Sequence, residues 1–229
     1  MLPILATRRQ IITLGAAAAV HFVNLLARAC LEPLGQQLDW EGFVEQLSRL
    51  AEDYGRGLLS EQTYIDRVCR LLPTLNYRTD SVNDQLRIHL RDIIPSGLVG
   101  LPLKEERSFE VALFSFEKGQ YFTYHDHPSM AGACMCLTGE IEIHNLDFIG
   151  HSDPATFLLR DRGTKICRAG DVSWLTSRVR NVHRVMAKNK AQLLDVFTPP
   201  YDATRVSDTR WYELEPKRGK DGELRAHLL

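Results

Sequence analysis

The chain has 229 residues, 44% hydrophobic and 25% charged, with a formal net charge of −1. That balance is ordinary for a globular domain, and no basic stripe offers a footprint for nucleic acid. Five cysteines, at positions 30, 69, 134, 136 and 167, are too few and too scattered for a disulfide framework. The length fits one main domain of about 150 to 190 residues plus an extension.

The first 29 residues stand apart. Thr7-Arg8-Arg9-Gln10-Ile11-Ile12 leads into an apolar run that reaches Leu26, and Ala27-Arg28-Ala29 closes it with small residues. A charged start, an apolar middle and an A-x-A ending describe a secretory signal. Paired arginines before a mild, Ala-rich stretch resemble the bacterial twin-arginine type. The expectation is an exported, periplasmic protein with residues 1–29 as its signal. The alternative is a cytoplasmic protein with an amphipathic N-terminal helix, a reading favoured by His21 and Asn24 in the apolar run. The run is too short and interrupted for a stable membrane span. Cleavage after Ala29 removes three arginines and no acid, so the mature charge becomes 25 minus 29, or −4. Cys30 would then come first, but Ala27-Arg28 makes a poor lipidation box.

Residues 30–105 read as a helical extension and connector. Between 38 and 72, Trp40, Phe43, Val44, Leu47 and Leu50 follow the i, i+3, i+4, i+7 rhythm of one helix face. Ser60 offers an N-cap, and Tyr64, Ile65, Val68, Leu71 and Leu72 continue the stripe until Pro73 ends it. These stripes are core-facing. A short helix around Val82 to Leu90 would carry His89, a surface or hydrogen-bonded histidine. Residues 93–103, punctuated by Pro and Gly, read as a connector.

From Phe109 the rhythm becomes extended. Short runs at 109–116, 121–125, 132–137, 140–146, 164–168, 171–175, 183–187 and 191–197 alternate with turn residues such as Lys118-Gly119, Thr138-Gly139 and Ala169-Gly170. About eight short strands predict a mostly β sandwich or barrel over residues 106–215. Residues 216–229 read as a charged tail or edge extension.

His125 and His127 stand two apart on a predicted strand, so both rings leave on one face and can reach one metal ion. Gly119, His125-x-His127, Gly132 and Gly139 match the spacing of the first cupin motif, and Gly170 followed by His183 resembles the second. The resemblance implies a cupin double-stranded β-helix, a jelly-roll barrel with His125, His127 and His183 as metal ligands. Where that motif usually places a glutamate ligand, this chain has Gly132. A neutral triad leaves the charge of a divalent ion uncompensated, which favours an anionic ligand such as a thiolate at the open positions. Three facial ligands leave room for a thiolate, a neighbouring amine and dioxygen, and Fe(II) is the ion able to activate dioxygen there.

The wider pattern resembles one family. His125-Asp-His127-Pro128-x-Met130, Asn181-Val182-His183, Leu194-Asp195-Val196-Phe197-Thr198-Pro199-Pro200-Tyr201 and the closing Trp211-Tyr212 are similar to segments of the cysteamine dioxygenase and plant cysteine oxidase family. The resemblance runs from about residue 40 to 215. It implies an iron-dependent thiol dioxygenase that converts cysteamine, cysteine or the N-terminal Cys of a peptide to a sulfinic acid with O2, acting as a monomer. Asp195 would accept the substrate amine or orient a bound group, and Tyr201 would donate a hydrogen bond to oxygen or thiolate. Ser129 stands where the family usually has glycine. The region 206–211 lacks a cysteine that many relatives carry, so a cross-link there is not expected. A twin-arginine signal is foreign to the better-known members.

The remaining candidates read as structural. Asp126 is expected on the outward side, as a surface acid or a support for the ligands. His144 and His151 fall outside the motif spacing. Cys134 and Cys136 share a strand face and read as small buried residues. Competing readings of the whole are another cupin oxygenase, a zinc or nickel isomerase, or a cupin sensor that binds without turnover.

Overall fold

Two helices open the part of the chain that a computed structural model describes, residues 37–77, 99–201, 208–216 and 223–229. The expected export segment and the short helix with His89 lie outside these residues. Helix α1 spans Trp40–Gly55 and α2 spans Glu61–Leu71. Asp39 caps α1 by accepting the Gly42 N–H at 2.9 Å, and Ser60 caps α2 by accepting the Thr63 N–H at 3.2 Å. Past α2, Leu72–Thr74 tightens into one 3-10 turn containing Pro73, which has no N–H to continue an α-helical ladder.

Eleven strands follow among the described residues: β1 Val99–Glu105, β2 Glu110–Phe116, β3 Tyr121–Asp126, β4 Ala131–Thr138, β5 Glu140–Asp153, β6 Thr156–Arg168, β7 Val172–Leu175, β8 Val182–Ala187, β9 Ala191–Thr198, β10 Trp211–Leu214 and β11 Leu224–Leu228. One sheet runs β1-β2-β9-β4-β7, and the strands β10-β11-β6-β5-β8-β3 close into a barrel through the β3–β10 pair. This is the mostly β, jelly-roll arrangement expected of a cupin.

Three segments differ from the expectation. Part of the 93–103 connector is strand β1, paired antiparallel with β2. The β5–β6 hairpin is longer than the sequence pattern indicates, because alternation continues through Phe148 and Phe157 to a turn where Asp153 accepts the Ala155 N–H at 3.0 Å. Within the segment read as a charged tail, β11 pairs with both β6 and β10. Its Leu224 and Ala226, two apart, turn to the buried side, and the charged residues take the other face.

The period of two in β2, β4 and β9 separates the two sides of the first sheet. Val111, Leu113, Ala131, Ala133, Met135, Leu194 and Val196 pack with Phe43, Leu47, Tyr64, Ile65 and Val68 of the helices. The alternate residues Glu110, Ala112, Phe114, Leu193, Asp195 and Phe197 face a cavity. The helices thus cover the outer face of the sheet whose inner face forms one cavity wall. Tyr64 also reaches through to Thr198 with a hydroxyl–hydroxyl hydrogen bond of 2.5 Å. Gly139 closes the β4–β5 turn at φ +77, where a Cβ would sit 2.2 Å from the Lys190 carbonyl oxygen, so the motif glycine is sterically required.

Candidate metal centre

His125 lies near the end of β3, His127 just beyond it, and His183 near the start of β8 directly across from His125. A register shift between Phe122 and His125 re-aims this end of β3. The three rings turn into the cavity and are 5–8% exposed. His183 Nε2 lies 3.1 Å from His125 Nε2 and 3.2 Å from His127 Nε2. One ligand atom from each residue lies within 4.8 Å of the others.

The tautomer of His125 follows from its surroundings. His125 Nδ1 donates to the Thr123 carbonyl at 2.8 Å, which leaves a lone pair on its Nε2 facing the centre. Burial holds His125 below its ordinary pKa, and burial followed by the neighbouring imidazoles holds His127 and His183 well below. Three neutral rings therefore aim nitrogen at one point. Hydrogen bonding among three such atoms cannot satisfy all the lone pairs, whereas a cation can. The donor set fits a divalent transition metal.

Aromatic rings fix the ligand planes. Trp211 stacks on His125 at 4.8 Å and Phe197 stacks on His127 at 5.3 Å, each tilted by 29°. Phe197 also lies beside the position of the missing glutamate. It pairs across from Gly132, where an added Cβ would lie 3.5 Å from its ring and 3.2 Å from the Val196 carbonyl oxygen. A side chain at Gly132 would therefore press on the neighbouring strand and touch the Phe197 ring.

Above the histidines lies a cavity of about 290 Å³, near the small end of ligand sites. Asp195 lines it from β9, and burial holds its carboxyl well above the usual range. Tyr201 lines it at the mouth. Its ring meets His127 edge-on at 5.5 Å, its hydroxyl is hydrogen-bonded to Thr209 Oγ1, and its N–H donates to Glu110 Oε2 at 3.0 Å. The structure thus brings Asp195 and Tyr201 to the same cavity as the three histidines.

Of its two readings, Asp126 follows the supporting one and not the surface one. It is 1% exposed and accepts the Arg210 N–H at 2.8 Å, Arg210 Nε at 2.7 Å and the Tyr212 hydroxyl at 2.7 Å. It ties the end of β3, between two of the histidines, to the segment that delivers Trp211. Ser129 adopts φ 58, the left-handed region that glycine enters at no steric cost, which accounts for the glycine usual there. His144 sits between the Tyr124 hydroxyl at 2.7 Å and Asp161 at 3.0 Å, outside the cluster of three histidines. His151 packs on Phe148 and Phe157. Cys134 and Cys136 are buried free thiols.

Among the cavity residues that sequence reasoning did not assign to the site, Glu110, Phe197 and Trp211 stand out. The signal for Glu110 was its place at the head of the otherwise apolar face Ala112, Phe114.

The PCO_ADO family model matches residues 95–227. Over 171 residues the chain is 26% identical to the 2-aminoethanethiol dioxygenase of Mus musculus, covering 63% of this chain and 66% of that one. It is 27% identical to the 2-aminoethanethiol dioxygenase of Homo sapiens, covering 53% and 54%. The chain thus spans between about half and two thirds of these relatives' length. A cupin superfamily protein from Desulfitobacterium hafniense is 15% identical over 47% of this chain and 82% of its own, with a TM-score of 0.36. With more than half of its residues matched, this chain belongs to the PCO_ADO family.

Proposed function

We propose that the chain is an iron(II)-dependent thiol dioxygenase that converts a free thiol and O2 to the sulfinic acid. The observation that carries this reading is the convergence of three neutral imidazole nitrogens beneath a small cavity, with Gly132 where a carboxylate ligand would stand. The relatives named 2-aminoethanethiol dioxygenase support the reaction class.

His125, His127 and His183 would hold the iron, which supplies a Lewis-acidic, redox-active centre for the thiol and dioxygen. The chain's own residues do the rest. Burial keeps the imidazoles unprotonated and ready to donate. The Thr123 carbonyl sets the tautomer of His125, and Trp211 and Phe197 hold two ring planes and exclude water. Asp195, buried in the wall with its carboxyl pushed up, accepts the ammonium of an aminothiol such as cysteamine or the N-terminus of a Cys peptide. Tyr201, held by Thr209 and Glu110, frames the mouth.

Anaerobic purification, metal analysis and oxygen uptake with cysteamine or a Cys-initiated peptide test this reading. Thiol-dependent oxygen consumption by iron-loaded protein is expected, and its absence overturns the reading. His183→Ala is expected to abolish metal retention; stoichiometric iron in that variant would show that the triad is wrong. Export, which rests on Arg8-Arg9 and Ala27-Arg28-Ala29, is tested by Arg8→Lys with Arg9→Lys: a variant that still reaches the periplasm contradicts it.

A further inference from the structure

We propose that Glu110 is a selectivity residue of this cavity: with Asp195 it reads a positive charge on the thiol, so that the pocket takes cationic aminothiols and turns away thiols carrying a carboxylate. This deepens the thiol dioxygenase reading and rests on it.

The cavity wall has a particular charge pattern. Apart from the three histidines and the two acids Glu110 and Asp195, its described lining is apolar or aromatic, and none of it is lysine or arginine. Glu110 pairs across from Phe197, and Ala112 pairs across from Asp195. The two acids are therefore diagonal neighbours on one face, with backbones roughly 7 to 8 Å apart. A single ammonium can lie between side chains on that spacing.

Neither acid has an ion-pair partner among the described residues. Asp195 is 9% exposed and lines the cavity, with only the adjacent Val196 N–H to stabilise its charge. Glu110 is half-buried at the open end of β2, and one of its oxygens accepts the Tyr201 N–H. Burial raises its carboxyl as well. Two carboxyl groups in a cavity whose described lining holds no lysine or arginine form an arrangement that a bound ammonium improves and a bound carboxylate worsens. Arg210, which precedes the cavity-lining Trp211, is committed to Asp126. Among the described lining residues a substrate carboxylate would meet two acids and no lysine or arginine. Glu110, still in contact with solvent, meets an entering ammonium first, and Asp195 receives it in the desolvated wall.

The test is anaerobic calorimetric binding of cysteamine, neutral 2-mercaptoethanol and anionic 3-mercaptopropionate to the iron-loaded protein and to Glu110→Gln. The glutamine amide oxygen keeps an acceptor for the Tyr201 N–H. Wild type is expected to bind cysteamine best and 3-mercaptopropionate worst. Glu110→Gln is expected to weaken cysteamine by about two- to fivefold, the upper part of the range for a partly exposed charge contact. It should strengthen 3-mercaptopropionate and leave 2-mercaptoethanol where it was. Equal weakening of cysteamine and 2-mercaptoethanol would mean that Glu110 only holds the Tyr201 segment, and overturns the proposal. So does a wild type that binds all three alike, or none. Oxygen uptake with the same thiols runs alongside. Uptake without charge discrimination sinks the role of Glu110 alone, whereas charge-ordered binding without uptake sinks the dioxygenase reading alone.

Discussion

Replacing Asp126 with asparagine changes almost no volume and removes one charge at a position between two of the histidines. The carboxylate receives the Arg210 N–H on one oxygen and, on the other, Arg210 Nε at 2.7 Å, an Arg210 terminal nitrogen at 2.5 Å and the Tyr212 hydroxyl at 2.7 Å. In either amide orientation an asparagine NH2 faces a donor. Arg210 is about one-third exposed and keeps some hydration, but its guanidinium lies among the rings of Phe148, Phe157 and Tyr212. The Tyr212 side chain is fully buried and its hydroxyl cannot turn to water. A charge-assisted bond is worth about 1.5 to 3 kcal/mol, and an orphaned buried hydroxyl costs about 1 to 3 kcal/mol. Discounting the arginine for its exposure, the expected loss is about 3 kcal/mol. Urea denaturation of the metal-free protein measures it. A variant within about 0.5 kcal/mol of wild type would refute the argument that this carboxylate secures the C-terminal segment to β3.

Three further outcomes follow from the same geometry. In the metal-free protein the three imidazoles are held below their ordinary pKa, whereas the unfolded chain takes up protons near 6.5. The unfolded state then binds more protons as pH falls, so stability present above about pH 6.5 drains below it, by at most about 1.4 kcal/mol per pH unit per ring. Denaturation curves at about pH 7.5 and 5.5 should show that loss, and coincident curves would contradict it. Asp195→Asn has the opposite sign: burial raises the folded carboxyl above its unfolded value, so at neutral pH the acid destabilises the fold. The variant should raise the denaturation midpoint of the metal-free protein while lowering cysteamine turnover; a lowered midpoint would show that the carboxyl is well solvated. Gly132→Ala puts a Cβ 3.2 Å from the Val196 carbonyl oxygen, on backbone that cannot yield cheaply. Overpacking of about 1 to 3 kcal/mol should outweigh an entropic gain of about 0.4 to 1 kcal/mol, for a net loss of about 1 kcal/mol by urea titration. A net gain would mean that Phe197 has room to move.

The sequence made the barrel and the histidine pair legible for a local reason. Alternation and turn glycines are written within a few residues of each other, and His125 and His127 share a strand face by period alone. His183 needed the motif spacing, since 58 residues separate it from His125. The extra strands were less visible. β1 lies among Pro and Gly, and β11 shows only Leu224 and Ala226 as its inward positions amid charged residues. What the sequence could not show was pairing across long separations. Asp126 meets Arg210 at 84 residues' distance and Glu110 meets Tyr201 at 91, so only the fold decides between the surface and supporting readings of Asp126 and puts Glu110 beside the cavity. Phe197 read as part of a strand, and only the β4–β9 register places it across from Gly132.

The most direct measurement is the fate of isotopically labelled dioxygen when the iron-loaded protein meets cysteamine. The account predicts a sulfinic acid carrying two labelled oxygen atoms, formed by wild type and not by His183→Ala. A disulfide product, a single labelled oxygen, or equal product from the His183→Ala variant would contradict a three-histidine thiol dioxygenase.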